Sequence, residues 1–294
     1  MRTPLVMALL TGLAVCFPLA AAKARPLLRT DQVSIVYGQP KEPKHHPAYD
    51  ELRQRGVLEL LRTMLNPFRL PRRLTLELKS CDGEVDAYYQ KDVATVCYEY
   101  VELIRQYAPK VGTPGGLIPA DAIVAAVIDT FLHEGAHALI DMLKIPVLGR
   151  EEDAADFFSA YILLRFPPQD AHRLIQGVGF LMASEAKAVM KEPPKPKTFA
   201  DTHALLAQRH YNLLCMAYGS DPKIFANTVL LGRLPKERAE GCAAEYEALK
   251  YAFHKLISPY VDQARRRKAL SRIRFNWNPL VPSTGGLDAP PLGD

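Results

Sequence analysis

Phe131 to Ile140 reads FLHEGAHALI and sets His133, Glu134 and His137 in the order H-E-x-x-H. On an α-helix, residues four apart stack one turn above each other, so both imidazoles can aim at one point, and that point suits a zinc ion. Glu134 points about 100° further round the helix, aside from the ion but within reach of a water bound to it. Metal ligand and proton acceptor therefore take separate positions.

The motif recurs by chance, so its surroundings carry part of the argument. Upstream, Ala122 to Leu132 reads AIVAAVIDTFL without Pro or Gly, and Asp121 after Pro119 is placed to cap the helix start. Apolar residues on nearly every side predict burial in a core, where two histidines and a glutamate are costly without a partner. Downstream, Gly149 to Asp156 reads GREEDAAD. A catalytic zinc usually takes three protein ligands and leaves a fourth position open, so a third ligand is needed. Glu152 is the best candidate, because it opens E-x-x-x-D with Asp156 one turn later on a helix expected from Glu151 to Phe166. Glu152 then coordinates, while Asp156 accepts the spare N–H of a ligand imidazole and fixes its tautomer. Glu151 and Asp153 compete but have no acid four residues on. The plainer reading of all three acids is a first helical turn that offsets the macrodipole.

H-E-x-x-H followed after a short loop by E-x-x-A-D resembles the gluzincin arrangement of zinc peptidases, and the surrounding segments are similar to a family of secreted bacterial metallopeptidases. The segments are DAYY at Asp86 to Tyr89, CYE at Cys97 to Glu99, FLHEGAHALID, GREEDAADFF, DTH at Asp201 to His203, QRHYNLLC at Gln208 to Cys215 and YGSDP at Tyr218 to Pro222. The resemblance implies His133, His137 and Glu152 as ligands of one zinc ion and Glu134 as the catalytic residue. It also implies a zincin-like α+β fold: a small, mostly antiparallel sheet packed on the active-site helix, followed by a mainly helical C-terminal part. Glu152 follows His137 closely, which implies a compact version of that fold.

The N-terminus carries Arg2, an apolar run from Leu5 to Leu19 and small residues ending at Ala22 or Ala24, the pattern of a cleaved secretory signal over 1–24. A secreted or periplasmic mature protein is expected, and nothing later looks long and apolar enough to span a membrane. Loss of Arg2 and Lys23 lowers the formal charge from +5 by two. So small an excess argues against a dedicated nucleic-acid binder, which needs a concentrated basic face. The mature chain keeps Cys81, Cys97, Cys215 and Cys242. Of three possible connectivities, Cys81–Cys97 and Cys215–Cys242 each join one local segment, and each would stabilise by roughly 3–4 kcal/mol.

The peptidase core is expected over 25–191. It opens with an extended piece at Gln32 to Tyr37 and a proline-flanked surface loop holding His45 and His46, then a helix from Ala48 to Leu65. LTLEL at Leu74 to Leu78, then Val85 to Tyr89 and Val93 to Val96 around a Gln90-Lys91-Asp92 turn, read as strands, the last two a hairpin. By the resemblance, Val85 to Tyr89 is the edge that a substrate backbone joins. A Pro/Lys linker at 192–197 leads to a helical part over 198–277 that completes the cleft, and a disordered tail is expected over 278–294. Within the helical part, His203 is the first choice to stabilise the anionic oxygen of the transition state, with His210 and Tyr211 behind it. Ala264 to Arg274, ARRRKALSRIR, reads as a solvated basic face, with an anionic membrane surface as the alternative.

These readings converge on a secreted or periplasmic zinc peptidase acting on peptide or protein substrates. A non-catalytic zinc-binding envelope module and a zinc hydrolase of cell-wall amides are the alternatives.

Overall fold

Leu74, Leu76 and Leu78 alternate with Thr75, Glu77 and Lys79, and all three leucines are buried. That alternation makes β2 (Leu74–Lys79) a strand with one face on a core. The computed structural model describes residues 31–113, 116–273, 275 and 277; the signal segment and the C-terminal tail expected above lie outside them. β1 (Val33–Tyr37), β3 (Ala87–Gln90) and β4 (Val93–Cys97) join β2 in the order β1-β2-β4-β3. β1 and β2 run parallel, as do β2 and β4, while β3 and β4 form an antiparallel hairpin.

The sheet is therefore mixed, which corrects the expectation of a mostly antiparallel one. The connections decide this. Two helices, α1 (His46–Gln54) and α2 (Val57–Leu65), carry the chain back from β1 to start β2 in the same direction. Strand alternation alone carries no information about direction. Between β3 and β4, Lys91 and Asp92 both take positive φ, 49° and 68°, which matches the twist of a two-residue hairpin turn. Arg72 holds the Asp92 carboxylate from below with its Nε at 2.8 Å.

The single helix expected over 48–65 is two helices, because Gly56 adopts φ 65° and breaks the run. After α3 (Tyr98–Tyr107) comes α4 (Pro119–Leu143), 25 residues long, which carries the H-E-x-x-H motif. Ile118 occupies the cap position and Asp121 lies inside the first turn, fully buried, where Arg55 at 2.8 Å and Arg173 both bind its carboxylate. The capping role expected for Asp121 is thus replaced by a buried ion cluster. α4 is also long and apolar enough to cross a membrane, contrary to the sequence reading, but 72% of its most apolar window is buried inside the protein. It is the central core helix.

α5 (Glu151–Leu163) and α6 (Pro168–Val189) pack along α4. Gly177 lets α6 approach closely: a Cβ there would stand 2.7 Å from the Ala125 Cβ. The short α7 (Pro196–Phe199) begins inside the expected linker, and α8 (Leu206–Ser220) packs on α5 and α6. Short α9 (Ala226–Leu230) and α10 (Lys236–Ala239) precede α11 (Cys242–Leu256), which lies against α8, and α12 (Gln263–Arg272) lies against α2. Disulfides join Cys81 to Cys97 and Cys215 to Cys242. One hydrophobic cluster runs through these elements, from Val33 in β1 to Ile273 after α12.

Candidate metal centre

His133 and His137 sit one turn apart on α4, which fixes their common direction, and α5 crosses in front of them. Nε2 of His133 lies 3.0 Å from Oε2 of Glu152 and 3.2 Å from Nε2 of His137. Nε2 of His137 lies 3.3 Å from the same Glu152 oxygen. The other ring nitrogens are taken up: Nδ1 of His133 donates to Asp156 at 2.9 Å, and Nδ1 of His137 donates to Glu151 at 2.8 Å. Adjacent residues of one helix turn, Glu151 and Glu152, thus serve opposite sides of the same imidazole.

Asp156 is itself held by Arg209 of α8, whose Nε and a terminal nitrogen donate to its two oxygens at 2.7 Å each. Burial works against the Asp156 charge, but His133 and Arg209 outweigh it and bring the carboxyl down to about 2. His133 itself is pushed up to about 9, because Asp156 and Glu152 outweigh the burial that disfavours its charge. Behind this pair Asp129, half-buried and bonded by the Ser159 hydroxyl, is raised by its removal from water to about 6. Glu134, only 7% exposed, is raised above the ordinary glutamate value by burial first, with Glu152 and Asp86 adding to it.

His203 comes from the loop before α8. Its Nε2 is 2.9 Å from Oε2 of Glu152, its ring stacks over that of His133 at 6.0 Å, and Asp201 holds its backbone N–H at 2.9 Å. The other two histidine-region candidates are not brought to this point. His210 is buried in α8 and hydrogen-bonded to Gly179 of α6, and Tyr211 lines a surface cavity with Arg150, Gln208 and Arg238. β3 forms one end of the sheet and packs on α4, tied by the Tyr89 hydroxyl donating to Asp141 at 2.9 Å.

A family model described as "Putative metallopeptidase" matches residues 37–257, well over half of the chain. The chain belongs to that family. No curated protein and no solved structure matches it. The stretch shared with the metallopeptidase family spans α4, α5 and α8, the elements that carry every residue of the cluster except the loop histidine between α7 and α8, which it also includes.

Membership of a metallopeptidase family calls for a metal and for donors to hold it. Three donors bound at about 2.0–2.1 Å in a tetrahedral shell stand roughly 3.3 Å apart. The three edges here are 3.0, 3.2 and 3.3 Å, and both imidazoles have Nδ1 engaged so that Nε2 faces inward. The donor set fits a divalent cation of zinc's size.

Two partners in this arrangement escape a reading of the motif alone. Glu151 looks like a failed ligand because Ala155 follows it by four, yet its task is the outer nitrogen of His137. Arg209 lies 53 positions from Asp156 in the chain, too far for any spacing rule. Its only signal is its place in the QRHYNLLC segment.

Proposed function

We propose that this chain is a secreted or periplasmic zinc peptidase acting on peptide or protein substrates, with His133, His137 and Glu152 holding one zinc ion and Glu134 as general base. The observation that carries the reading is the mutual approach of the three inward donors within 3.0–3.3 Å. When bound, the ion supplies Lewis acidity, polarising the scissile carbonyl and lowering the pKa of water to about 7. Glu134 takes the proton of the attacking water at its carboxylate and returns it to the leaving amine. Its burial raises its pKa toward working pH, which suits a group that must both accept and release a proton.

Asp156 and Glu151 fix the two imidazoles by their Nδ1–H groups, and Arg209 fixes Asp156. His203, partly exposed at the mouth of the cluster, is the donor for the substrate oxygen as negative charge builds there. The unpaired edge of β3 offers main-chain groups to an extended substrate. The two disulfides are consistent with an extracellular or periplasmic protein, as an oxidising compartment requires.

The test uses purified mature chain, a metal assay and an unfolded-protein substrate. Glu134→Gln should keep near-stoichiometric zinc and lose hydrolysis by a factor of about 100 or more. His133→Ala should lose the metal. Cleavage by Glu134→Gln at the parent rate would refute the assignment of the base, and stoichiometric zinc with no cleavage of protein by the parent would point to a binding module.

A further inference from the structure

The proline-flanked sequence around His45 predicts a surface loop. His45 is instead fully buried, in the short 3-10 turn Pro43–His45 ahead of α1. Neither of its ring nitrogens has a hydrogen-bond partner among the described residues. A buried neutral imidazole always carries one N–H donor and one acceptor, and leaving a buried polar group unmatched costs roughly 1–3 kcal/mol. Something must be matched to this ring.

Two carboxylates meet it. One nitrogen of His45 and one oxygen each of Glu42 and Glu99 all lie within 4.8 Å of one another. Glu99 opens α3, is 6% exposed, and is held by the backbone N–H groups of Cys81 at 3.0 Å and Gly83 at 3.1 Å. Glu42 is part-exposed and receives Lys44 Nζ at 2.8 Å, so it forms the solvent-facing side. Tyr98 covers one face of the imidazole, with ring centroids 5.9 Å apart. The sulfurs of the disulfide Cys81–Cys97 also lie within 4.8 Å of a Glu99 oxygen but, bonded to each other, are not donors.

We infer that Glu42, His45 and Glu99 form a second cation site, separate from the centre on α4, that takes a first-row divalent ion such as zinc or manganese. Two carboxylates offset a divalent charge, and an imidazole nitrogen favours a transition-series ion over calcium or magnesium, whose ligands are oxygens. The spread of the three atoms is wider than in a closed shell, so binding draws Glu42 inward from the surface. The site ties the segment before α1 to the start of α3 and thereby clamps the loop that carries Cys81. Its role is structural: it holds this end of the sheet. It does not depend on the peptidase reading.

The experiment counts bound ions on the full mature chain after chelator treatment and reloading with Zn2+, and separately with Mn2+, by elemental analysis and titration. A variant lacking the α4 pair, His133→Ala with His137→Ala, should still bind one ion and melt at a higher temperature with it than without. Adding Glu42→Gln should weaken that ion by about tenfold or more, and adding His45→Gln should abolish it. Glu42 is at the surface, so its variant reports even if His45→Gln fails to fold. No binding of either ion tighter than about 100 µM to the folded α4-pair variant would overturn the inference, as would affinity unmoved by Glu42→Gln. One ion per chain in both parent and α4-pair variant, lost with Glu42→Gln, would support this site and sink the proposed active-site metal.

Discussion

At the scale of single residues, the centre is organised by what lies behind its inward-facing donors. Asp156 is the pivot, since it takes the Nδ1–H of His133 and both arms of Arg209. Asp156→Asn keeps the size of the side chain but removes the charge that orients the ring, so zinc affinity should fall by about 10–100-fold in competition with a chelator dye. Unchanged affinity would remove Asp156 from the account. His210 gives a second prediction, for stability. Burial, followed by the neighbouring Arg233 charge, outweighs its hydrogen bond to Gly179 and brings its pKa down to about 4, against 6.5 when exposed. The unfolded chain therefore takes up the proton first. Stability should be full above about pH 6.5 and fall as pH drops toward 4, by up to roughly 3 kcal/mol from this residue. Urea titrations at pH 7.5 and 5 would show a smaller loss in His210→Phe than in the parent, and equal losses would count against it. Of the residues in the cluster, those on one helical turn were legible, because His133 with His137 and Glu152 with Asp156 obey the four-residue spacing. Glu151, Arg209 and the burial of His45 were not, since each depends on which element lies opposite.

At the scale of elements, the packing of α6 on α4 sets how well the helix carrying His133 and His137 is held. Gly177→Ala would bring a Cβ 2.7 Å from that of Ala125 and within 3.3 Å of the Ala122 Cα, backbone that cannot yield cheaply. A loss of about 1–3 kcal/mol in chemical denaturation is expected, against the small gain that Gly→Ala gives in an open helix. A gain would mean that the two helices slide apart at little cost. The sequence located α4 by its unbroken apolar run without Pro or Gly and α5 by the acidic segment that opens it. It missed the break at Gly56, where a single left-handed residue separates the end of α1 from the start of α2. It also missed the parallel pairing of β1 with β2 and of β2 with β4, since direction is set by the helical crossover and not by the strand.

At the scale of the whole molecule, both disulfides are local in sequence, and they tie different elements. Cys81–Cys97 closes the loop next to Glu99, and Cys215–Cys242 joins α8 to α11. At Gly219 in α8 the backbone of Cys242 already occupies the space a Cβ would need, so this contact is built without side-chain slack. Replacing Cys215 and Cys242 by Ser should cost roughly 3–4 kcal/mol of unfolding free energy. Because α8 also carries Arg209, the variant should lose zinc at a lower urea concentration than the parent, read by metal release during denaturation. Release at the parental midpoint would separate the bridge from the centre.

The bond from Arg209 to Asp156 crosses 53 positions of chain, from the second turn of α5 to α8. A nascent polypeptide that has emerged only as far as α6 already owns both imidazoles and both neighbouring glutamates, yet has no guanidinium to steady the aspartate behind them. Completion of the centre therefore comes late in order of synthesis, once α8 has followed α6 and its guanidinium can reach back to the aspartate.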